Sequence, residues 1–414
     1  ISLDYQRLDD LTRRLLPEIE SINHSTVEEI FSCSPIVDGM LLSQIKQPES
    51  YKTLQRYEVL SSHDHPICLD TLKIAWQKVI SRQPALRTVF IAGLDGSTAF
   101  YQALLKECSG DVIVVEAKTE EEALKAFSSL PKVDYQQAKP PHRLTLCQTP
   151  DDKVFCQIEM SHAITDGASS SILIKDLINA YGDNLSSTDL VKTTREFASH
   201  LLAKPQSQKI SYWNTKLKGL EPCRFPSLSS MSREKHECSS EIGVFVEDKM
   251  FAQIQDFCSI NQVTPASLLK SAWALTLSTY VQNQSVCFGY LASGRDLPIA
   301  GMDESVGAYT NIMVCRADLD GQQPGVALVR QLQDQLMQDL SFQHISLASI
   351  QHELGLASDQ QLFNSIVSFQ RSGDDNEQSA EEGKLRFKNI DGLDPTEVSG
   401  VLSMRVYTSG LMFL

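Results

Sequence analysis

"DKVFCQIEMSHAITDGASSSILIKDLINAYGDN", residues 152–184, joins two different sequence patterns. Apolar residues occupy every second position from Val154 to Met160, which predicts a strand. Apolar residues recur at helical spacing in the last part, which predicts a helix that ends near Gly182. The polar stretch between them is therefore a strand-to-helix connection, where free backbone N–H groups and polar side chains meet.

The whole chain is predicted to be an α/β protein of two domains. It has 414 residues, of which 42% are hydrophobic and 21% charged, a composition typical of globular proteins and a length that suits two cores. Strand and helix patterns of similar kind recur in both halves, so we predict one domain over 1–185 and another over 186–414. The polar stretch 184–194 is the expected linker, and the acidic stretch 371–384 is an expected mobile surface loop.

Two earlier stretches predict individual helices. In "STVEEIFSCSPIVDGMLLSQI", Ser25 is followed three residues later by Glu28, the spacing of a capping box, which predicts a helix beginning at Ser25. From Leu72 to Val79 the apolar residues again have helical spacing, and Pro84 marks the end of that helix.

Charge and cysteine content argue against several classes of protein. The chain carries 37 Lys and Arg against 52 Asp and Glu, a net charge of −15, which disfavours a nucleic-acid or anionic-membrane surface, and no apolar stretch is long enough to span a membrane. The ten cysteines are scattered without a CxxC pair, so we expect no metal site and a reducing, cytoplasmic setting. There is no GxSxG, Walker-type or GxGxxG motif.

His162 and Asp166 are the residues of the connection best suited to chemistry. Residues four apart share one face of a helix, so the two side chains could touch, whereas a tight turn could aim them apart. His162 could also do no more than cap the end of the strand. The context favours a functional role, because a helix begins just after the pair and Gly167 lies where a backbone can approach another group closely.

Motifs along the chain resemble those of a known family. "SHAITDG" resembles the HHxxxDG signature of the condensation domains of nonribosomal peptide synthetases, with Ser161 in place of the first histidine. The other similar segments, in the family's order, are "CSPIVDGMLLSQ" (33–44), "SRQPALRTVF" (81–90), "SYWNTKLKG" (211–219), "SGRDLP…GAYTNIMVCR" (293–316), "HISLASIQ" (344–351) and "LFNSIVSFQ" (362–370). As a set these motifs are specific, whereas each one alone is weak.

The resemblance implies a fold and an activity. Condensation domains consist of two chloramphenicol-acetyltransferase-like subdomains that form a V-shaped pseudo-dimer with a tunnel between them. The SHxxxDG form is similar to the terminal, cyclising domains of fungal synthetases of the fumiquinazoline and tryptoquialanine kind. Such a domain releases a linear peptide thioester from a peptidyl carrier domain by intramolecular amide formation. Because the carrier's phosphopantetheine arm delivers the peptide, the resemblance implies no cofactor or metal in the domain itself, and we expect the excised domain to be a monomer.

The resemblance also assigns roles to the residues of the connection. His162 would act as general base or would orient the attacking amine, and the backbone N–H of Gly167 would face the developing oxyanion. Asp166 would turn away from the tunnel into a buried ion pair, for which Arg87 is the predicted partner and Arg82 the alternative.

Four further residues are candidates for contact with the substrate. Ser161 could hydrogen-bond the substrate or could simply fill the space of the absent imidazole. Asn311, Ser293 and Arg295 could line the tunnel from the second half of the chain. For Ser293 and Arg295, bracing of the loop is an equally open role.

Three other functions stay open at this point. An internal condensation domain would join substrates from two carriers. A catalytically silent docking domain would keep the fold and recruit a partner, and the replacement of the first histidine is the feature that favours it. A free-standing acyltransferase that uses coenzyme A shares HxxxD, but such proteins usually carry a DFGWG segment that this chain lacks.

Overall fold

A computed structural model describes residues 9, 11–61, 66–92, 100–134, 138–185, 191–226, 244–357, 360–371, 385–393, 401–407 and 410–413. The chain divides into two compact units, the first made of 1–203, 294–309 and 376–397 and the second of 204–293, 310–375 and 398–414. The units are discontinuous, unlike the predicted domains 1–185 and 186–414, because two segments from the later half of the chain pack into the first unit. The predicted loop 371–384 lies almost wholly outside the described residues, as does the centre of the predicted linker.

The described residues form strands and α-helices that we number in chain order. The strands are β1 Val27–Ser32, β2 Lys52–Ser61, β3 Thr88–Ala92, β4 Phe100–Leu105, β5 Val112–Glu116, β6 His142–Gln148, β7 Val154–Ser161, β8 Val244–Val246, β9 Ser285–Ala292, β10 Asn311–Asp318, β11 Ile366–Arg371, β12 Leu385–Leu393, β13 Val401–Tyr407 and β14 Gly410–Phe413. The α-helices are α1 Leu16–Asn23, α2 Pro35–Lys46, α3 Leu69–Arg82, α4 Glu120–Ser129, α5 Ser169–Tyr181, α6 Thr193–Ala203, α7 Gln206–Leu217, α8 Asp248–Asn261, α9 Pro265–Val281, α10 Gly325–Asp339 and α11 Leu347–Glu353.

The first unit is organised around β7. Five strands form a sheet in the order β12-β2-β7-β6-β5, and a smaller sheet has the order β1-β4-β3. All eight residues of β7 are buried, since both faces of this strand are covered. Trp76 of α3 and Leu173 of α5 belong to the core on one face, while Phe127 of α4 packs with Phe155 on the other. The predicted strand and the two predicted helices, α3 and α5, are therefore confirmed.

The helix predicted from Ser25 is wrong. Residues Val27–Ser32 form β1, which pairs with β4, and the Ser25 hydroxyl accepts a hydrogen bond from the backbone N–H of Glu107 instead of capping a helix. The helix begins only at Pro35, where Ser34 is the N-cap and accepts from the Val37 N–H. Strand pairing across the sheet outweighs the local capping signal here.

The second unit contains the other sheet, with the strand order β10-β9-β11-β13-β14-β8. β9 pairs with β10 antiparallel from Asn311↔Ala292 to Asp318↔Ser285, and β11 runs parallel to both β9 and β13. Its core combines Trp213 and Leu217 of α7 with Phe288 of β9. Each unit thus contains sheet and helix, as the predicted α/β class requires. No helix among the described residues has the length and apolar character needed to cross a membrane.

The segment 294–309 belongs to the first unit although both of its flanks belong to the second. It starts at Gly294, whose φ of +65° lies in the left-handed region. A Cβ at this position would overlap the backbone carbonyl of Tyr309, so only glycine fits there. We call residues 294–309 the crossover segment.

Candidate active site

The connection around Ser161 consists of the end of a strand, a single turn and the start of a helix. β7 ends at Ser161, a 3₁₀ turn spans His162–Ile164, and α5 begins at Ser169. The Ser161 hydroxyl accepts the N–H of Ala163 at 3.2 Å and so caps the turn. The connection has the form predicted from the sequence.

His162 is partly exposed, between two buried neighbours. Its backbone N–H donates to the carbonyl oxygen of Tyr51 at 2.7 Å. The two aromatic rings meet edge to face, with centroids 6.4 Å apart and an interplanar angle of 83°. Tyr51 itself has a φ of +54°, a left-handed conformation that is uncommon for residues other than glycine. The histidine is therefore held from the β2 side of the sheet.

Asp166 is buried and is bound from several directions. Its Oδ1 accepts from Nη2 of Arg295 at 2.8 Å, and its Oδ2 accepts from Nε of the same residue at 3.2 Å. Oδ1 also accepts the N–H and the hydroxyl of Ser169 at 3.0 and 2.8 Å, and Oδ2 accepts the N–H of Tyr309 at 3.4 Å. The carboxylate thus holds the start of α5 and the crossover segment together, as the implied structural role requires.

Arg295 completes this buried ion pair and braces the crossover segment. Its Nη1 donates to the carbonyls of Met302 at 2.6 Å and Ser305 at 2.8 Å. Its guanidinium carbon lies 4.9 Å from the centre of the Tyr309 ring, within the range of a cation–π contact. Of the two roles left open for Arg295, the structure shows the bracing one.

The prediction that Arg87 pairs with Asp166 is wrong. Arg87 is buried elsewhere in the first unit, where it donates to the carbonyls of Leu105 and Lys106 and forms an ion pair with Glu28 at 3.7 Å. Burial lowers the pKa of Arg87, and Glu28 opposes this shift.

The alternative partner, Arg82, is also bound elsewhere. Its Nε donates to Asp176 at 3.1 Å, and its Nη2 donates to Glu304 at 2.5 Å. The partner of Asp166 is Arg295 of the crossover segment. The two residues are far apart in the chain, so the sequence alone did not indicate the pair.

Gly167 and Ser161 differ sharply in accessibility. Gly167 is exposed, and a Cβ built on it meets no atom within 4 Å. The local fold therefore leaves open space where a side chain at this position would stand. Ser161 is fully buried, and its hydroxyl is hydrogen-bonded to the carboxamide of Gln44. Of its two proposed roles, this placement favours space filling.

The two remaining candidates lie in the second unit. Asn311 is buried at the first position of β10, and among the described residues its Nδ2 has no hydrogen-bond partner. Ser293 directly follows β9 and is exposed. Their predicted contact with substrate stays a prediction.

Sequence reasoning missed several residues that build the site. Ser169 follows Asp166 at the three-residue spacing of a helix cap, a signal that was present in the sequence. Tyr51 and Gln44 carry no such signal, because their contacts with residues 161–162 depend on the pairing of β2 with β7.

A titratable carboxyl lies on the helix beside the turn. Asp38 is part of α2, a helix that packs against the 3₁₀ turn through Val37, Leu41 and Ala163. Its Oδ1 accepts the backbone N–H of Phe100 at 3.1 Å. Burial raises the pKa of Asp38 to about 6, against the opposing effect of that hydrogen bond.

A small cavity of about 40 Å³ lies behind the turn, within the first unit. Ala163 and Ile164 form one wall, and Thr88 and Gln102 supply polar groups. Within the described ranges, His, Cys, Asp and Glu side chains form no cluster of three or more that could hold a metal.

Comparisons with known proteins identify the family. The sequence profile of the condensation domain matches residues 27–396. The nonribosomal peptide synthetase ungA' of Aspergillus campestris is 33% identical over 405 residues, which is 98% of this chain and 4% of that protein. Nonribosomal peptide synthetase 5 of Gibberella zeae is 37% identical over 409 residues, which is 96% of this chain and 4% of that protein. The chain belongs to the condensation-domain family, whose members are acyltransferase-type enzymes that form peptide bonds.

A solved structure confirms the fold. The condensation domain from the monacolin K polyketide synthase MokA has a TM-score of 0.72 with this chain at 13% identity, covering 94% of this chain and 91% of that one. The predicted chloramphenicol-acetyltransferase-like α/β fold is thereby confirmed. Because the chain spans about 4% of the length of the two curated relatives above, the activity of a whole synthetase is not carried over to it.

Proposed function

We propose that this chain is a terminal condensation domain of a fungal nonribosomal peptide synthetase and that it cyclises a carrier-bound linear peptide. One observation carries the proposal: within residues 161–167 only His162 and Gly167 are accessible, while Ser161 and Asp166 are buried and bound to protein atoms. These two accessible residues supply the groups that amide formation needs, an imidazole and a backbone N–H.

In the proposed reaction the amine of the peptide attacks the carbonyl carbon of its own thioester. A C–N bond forms and the C–S bond breaks, so one proton leaves the nitrogen and one is needed by the departing sulfur. The His162 imidazole accepts the first proton and delivers it to the thiolate, because imidazole gives and takes protons readily near neutral pH. The products are a cyclic amide and the free phosphopantetheine thiol of the carrier.

In the proposed reaction the backbone N–H of Gly167 stabilises the oxyanion of the tetrahedral intermediate. It lies two residues before α5, at the end of the helix where the dipole favours negative charge. The residue is exposed and a Cβ built on it meets no atom within 4 Å, which supports the approach of a carbonyl oxygen to this backbone. Neither step draws on a metal or on a cofactor of the domain itself, since the carrier's phosphopantetheine arm holds the substrate.

Ser161 supports the terminal assignment over an internal one, since the SHxxxDG form resembles that of the cyclising domains. The expected partner is the peptidyl carrier domain of the same synthetase, in the cytoplasm. Both proteins are expected to be acidic, so docking should depend on apolar contact and a few local cations. Weak docking that falls steeply with salt would contradict this view.

The test uses a fungal carrier domain loaded, through its phosphopantetheine thiol, with a library of linear tri- to hexapeptides. We expect mass spectrometry to show released peptides that have lost water, and we expect His162→Ala to lower their rate of formation by about 10²- to 10⁴-fold. His352→Ala is the matched control, because His352 is exposed on α11 in the second unit and its loss should change nothing.

Other outcomes of the same assay would overturn the proposal. Undiminished product from His162→Ala would remove the imidazole from the mechanism. A longer linear peptide, formed when an aminoacyl carrier is added as acceptor, would show an internal condensation domain. Carrier binding without any product across the library would show a silent docking domain.

A further inference from the structure

Gln44 and Ser161 form a buried polar pair directly beneath the turn that carries His162. Gln44 lies on α2 and is 2% exposed, and Ser161 is 0% exposed. The Gln44 Nε2 donates to the Ser161 hydroxyl at 2.9 Å, and this hydroxyl can donate back to the Gln44 Oε1 at 3.2 Å. A polar pair this deep is costly unless its groups are hydrogen-bonded, so its geometry is tightly determined.

The carboxamide of Gln44 also reaches the backbone group that anchors His162. Its Nε2 donates to the carbonyl oxygen of Tyr51 at 3.2 Å, and the same oxygen accepts the His162 N–H at 2.7 Å. Tyr51 adopts a left-handed backbone conformation, which is unfavourable for such a residue and persists only where the surroundings enforce it. Gln44 is one of the groups that enforce it.

Ser161 and Tyr51 set the position of His162, and both are hydrogen-bonded to the side chain of Gln44. Ser161 determines where the turn begins, through its hydrogen bond to the Ala163 N–H, and Tyr51 binds the first backbone amide of the turn. Gln44 contacts both. We propose that Gln44 is a positioning residue that, together with Ser161, sets the location of the His162 imidazole. Ser161 occupies the position at which the family signature has its first histidine. The proposal rests on the catalytic role given to His162 above.

The test replaces Gln44 by methionine, which has a similar length and no hydrogen-bonding amide. We expect kcat for cyclisation to fall on the order of 10- to 100-fold, because displacement of a reacting group by about 1 Å has effects of this size. The KM for the loaded carrier should stay unchanged, since Gln44 is buried and cannot touch the carrier. Ser161→Ala, which removes only the hydroxyl, should also lower kcat. This variant provides the test if Gln44→Met does not fold.

A matched control and a double variant separate positioning from general damage. Gln77→Met makes the same change in the same unit, where the carboxamide of Gln77 binds the backbone of Cys108 and Gly110, and should leave kcat unchanged. Gln44→Met should have no further effect in the His162→Ala background, because there is no imidazole left to position. An equal loss in both backgrounds would overturn the proposal. Unchanged kcat in Gln44→Met and Ser161→Ala would also overturn it, provided that His162→Ala itself lowers kcat.

A spectroscopic readout keeps this inference distinct from the proposed function. The imidazole ¹⁵N signals of the nine histidines are recorded, and that of His162 is assigned by its absence in His162→Ala. We expect Gln44→Met to shift this signal and leave the other histidines in place. If His162→Ala retains activity while the shift occurs, the proposed chemistry fails and the positioning stands. If no shift occurs, the positioning fails.

Discussion

Replacement of Asp166 by asparagine should destabilise the first unit strongly. The carboxylate accepts two hydrogen bonds from Arg295, two from Ser169 and one from Tyr309. Asparagine would keep one acceptor oxygen and place an NH₂ group against donors, while the Arg295 charge, whose side chain is 12% exposed, would lose its counter-ion. Breaking a buried ion pair in this way costs about 3–5 kcal/mol.

This cost can be measured by urea unfolding followed through tryptophan fluorescence and far-UV circular dichroism. With an m-value of about 3 kcal/mol/M, typical for a unit of this size, the midpoint should fall by roughly 1–1.7 M. Asp183→Asn is the control, because Asp183 pairs with Lys78 at 2.5 Å but its side chain is 86% exposed, and such pairs contribute at most about 1 kcal/mol. If both variants lose the same small amount, Asp166 does not hold the crossover segment as described.

Three further predictions concern other parts of the first unit. Because the folded carboxyl of Asp38 has a pKa of about 6, above the unfolded value of 3.8, it binds its proton more tightly than the unfolded chain does and lowers stability as pH rises between these values. Asp38→Asn, which keeps an acceptor for Phe100, should therefore raise the free energy of unfolding at pH 7.5 but not at pH 3.5; urea titrations at both pH values test this. Gly167→Ala should fold normally, since its Cβ meets only open space, yet lower kcat on the loaded carrier by at least about 10-fold by crowding the oxyanion position; an unchanged kcat would remove Gly167 from the site. Phe155→Ala should cost about 3–5 kcal/mol in urea unfolding, because Phe155 is fully buried under α4, and a loss below 1 kcal/mol would contradict the packing.

Local patterns in the sequence predicted the centre of the site well. The alternation in β7, the helical spacing of α3 and α5, and the turn between β7 and α5 all appear as expected. These elements are set by residues close together in the chain, so periodicity and capping signals are sufficient for them.

Features that depend on distant pairing could not be predicted in this way. Ser25 and Glu28 match a helix cap, but the pairing of β1 with β4 decides their structure. The resemblance led to Arg87 as the predicted partner of Asp166, yet Arg295 is the partner because the crossover segment packs into the first unit. Gln44 is one of many polar residues in the sequence, and only the fold brings it against Ser161.

The composition of the first unit constrains how such domains can be recombined. β12, from residues 385–393, pairs with β2 along eight registered positions, and Arg295 comes from residues 294–309. A graft cut after residue 185 or 203 would leave the β2 edge open to aggregation and Asp166 without its counter-ion. A chimera that exchanges this unit between synthetases must therefore carry all three pieces of chain, and junctions placed between them should give insoluble protein.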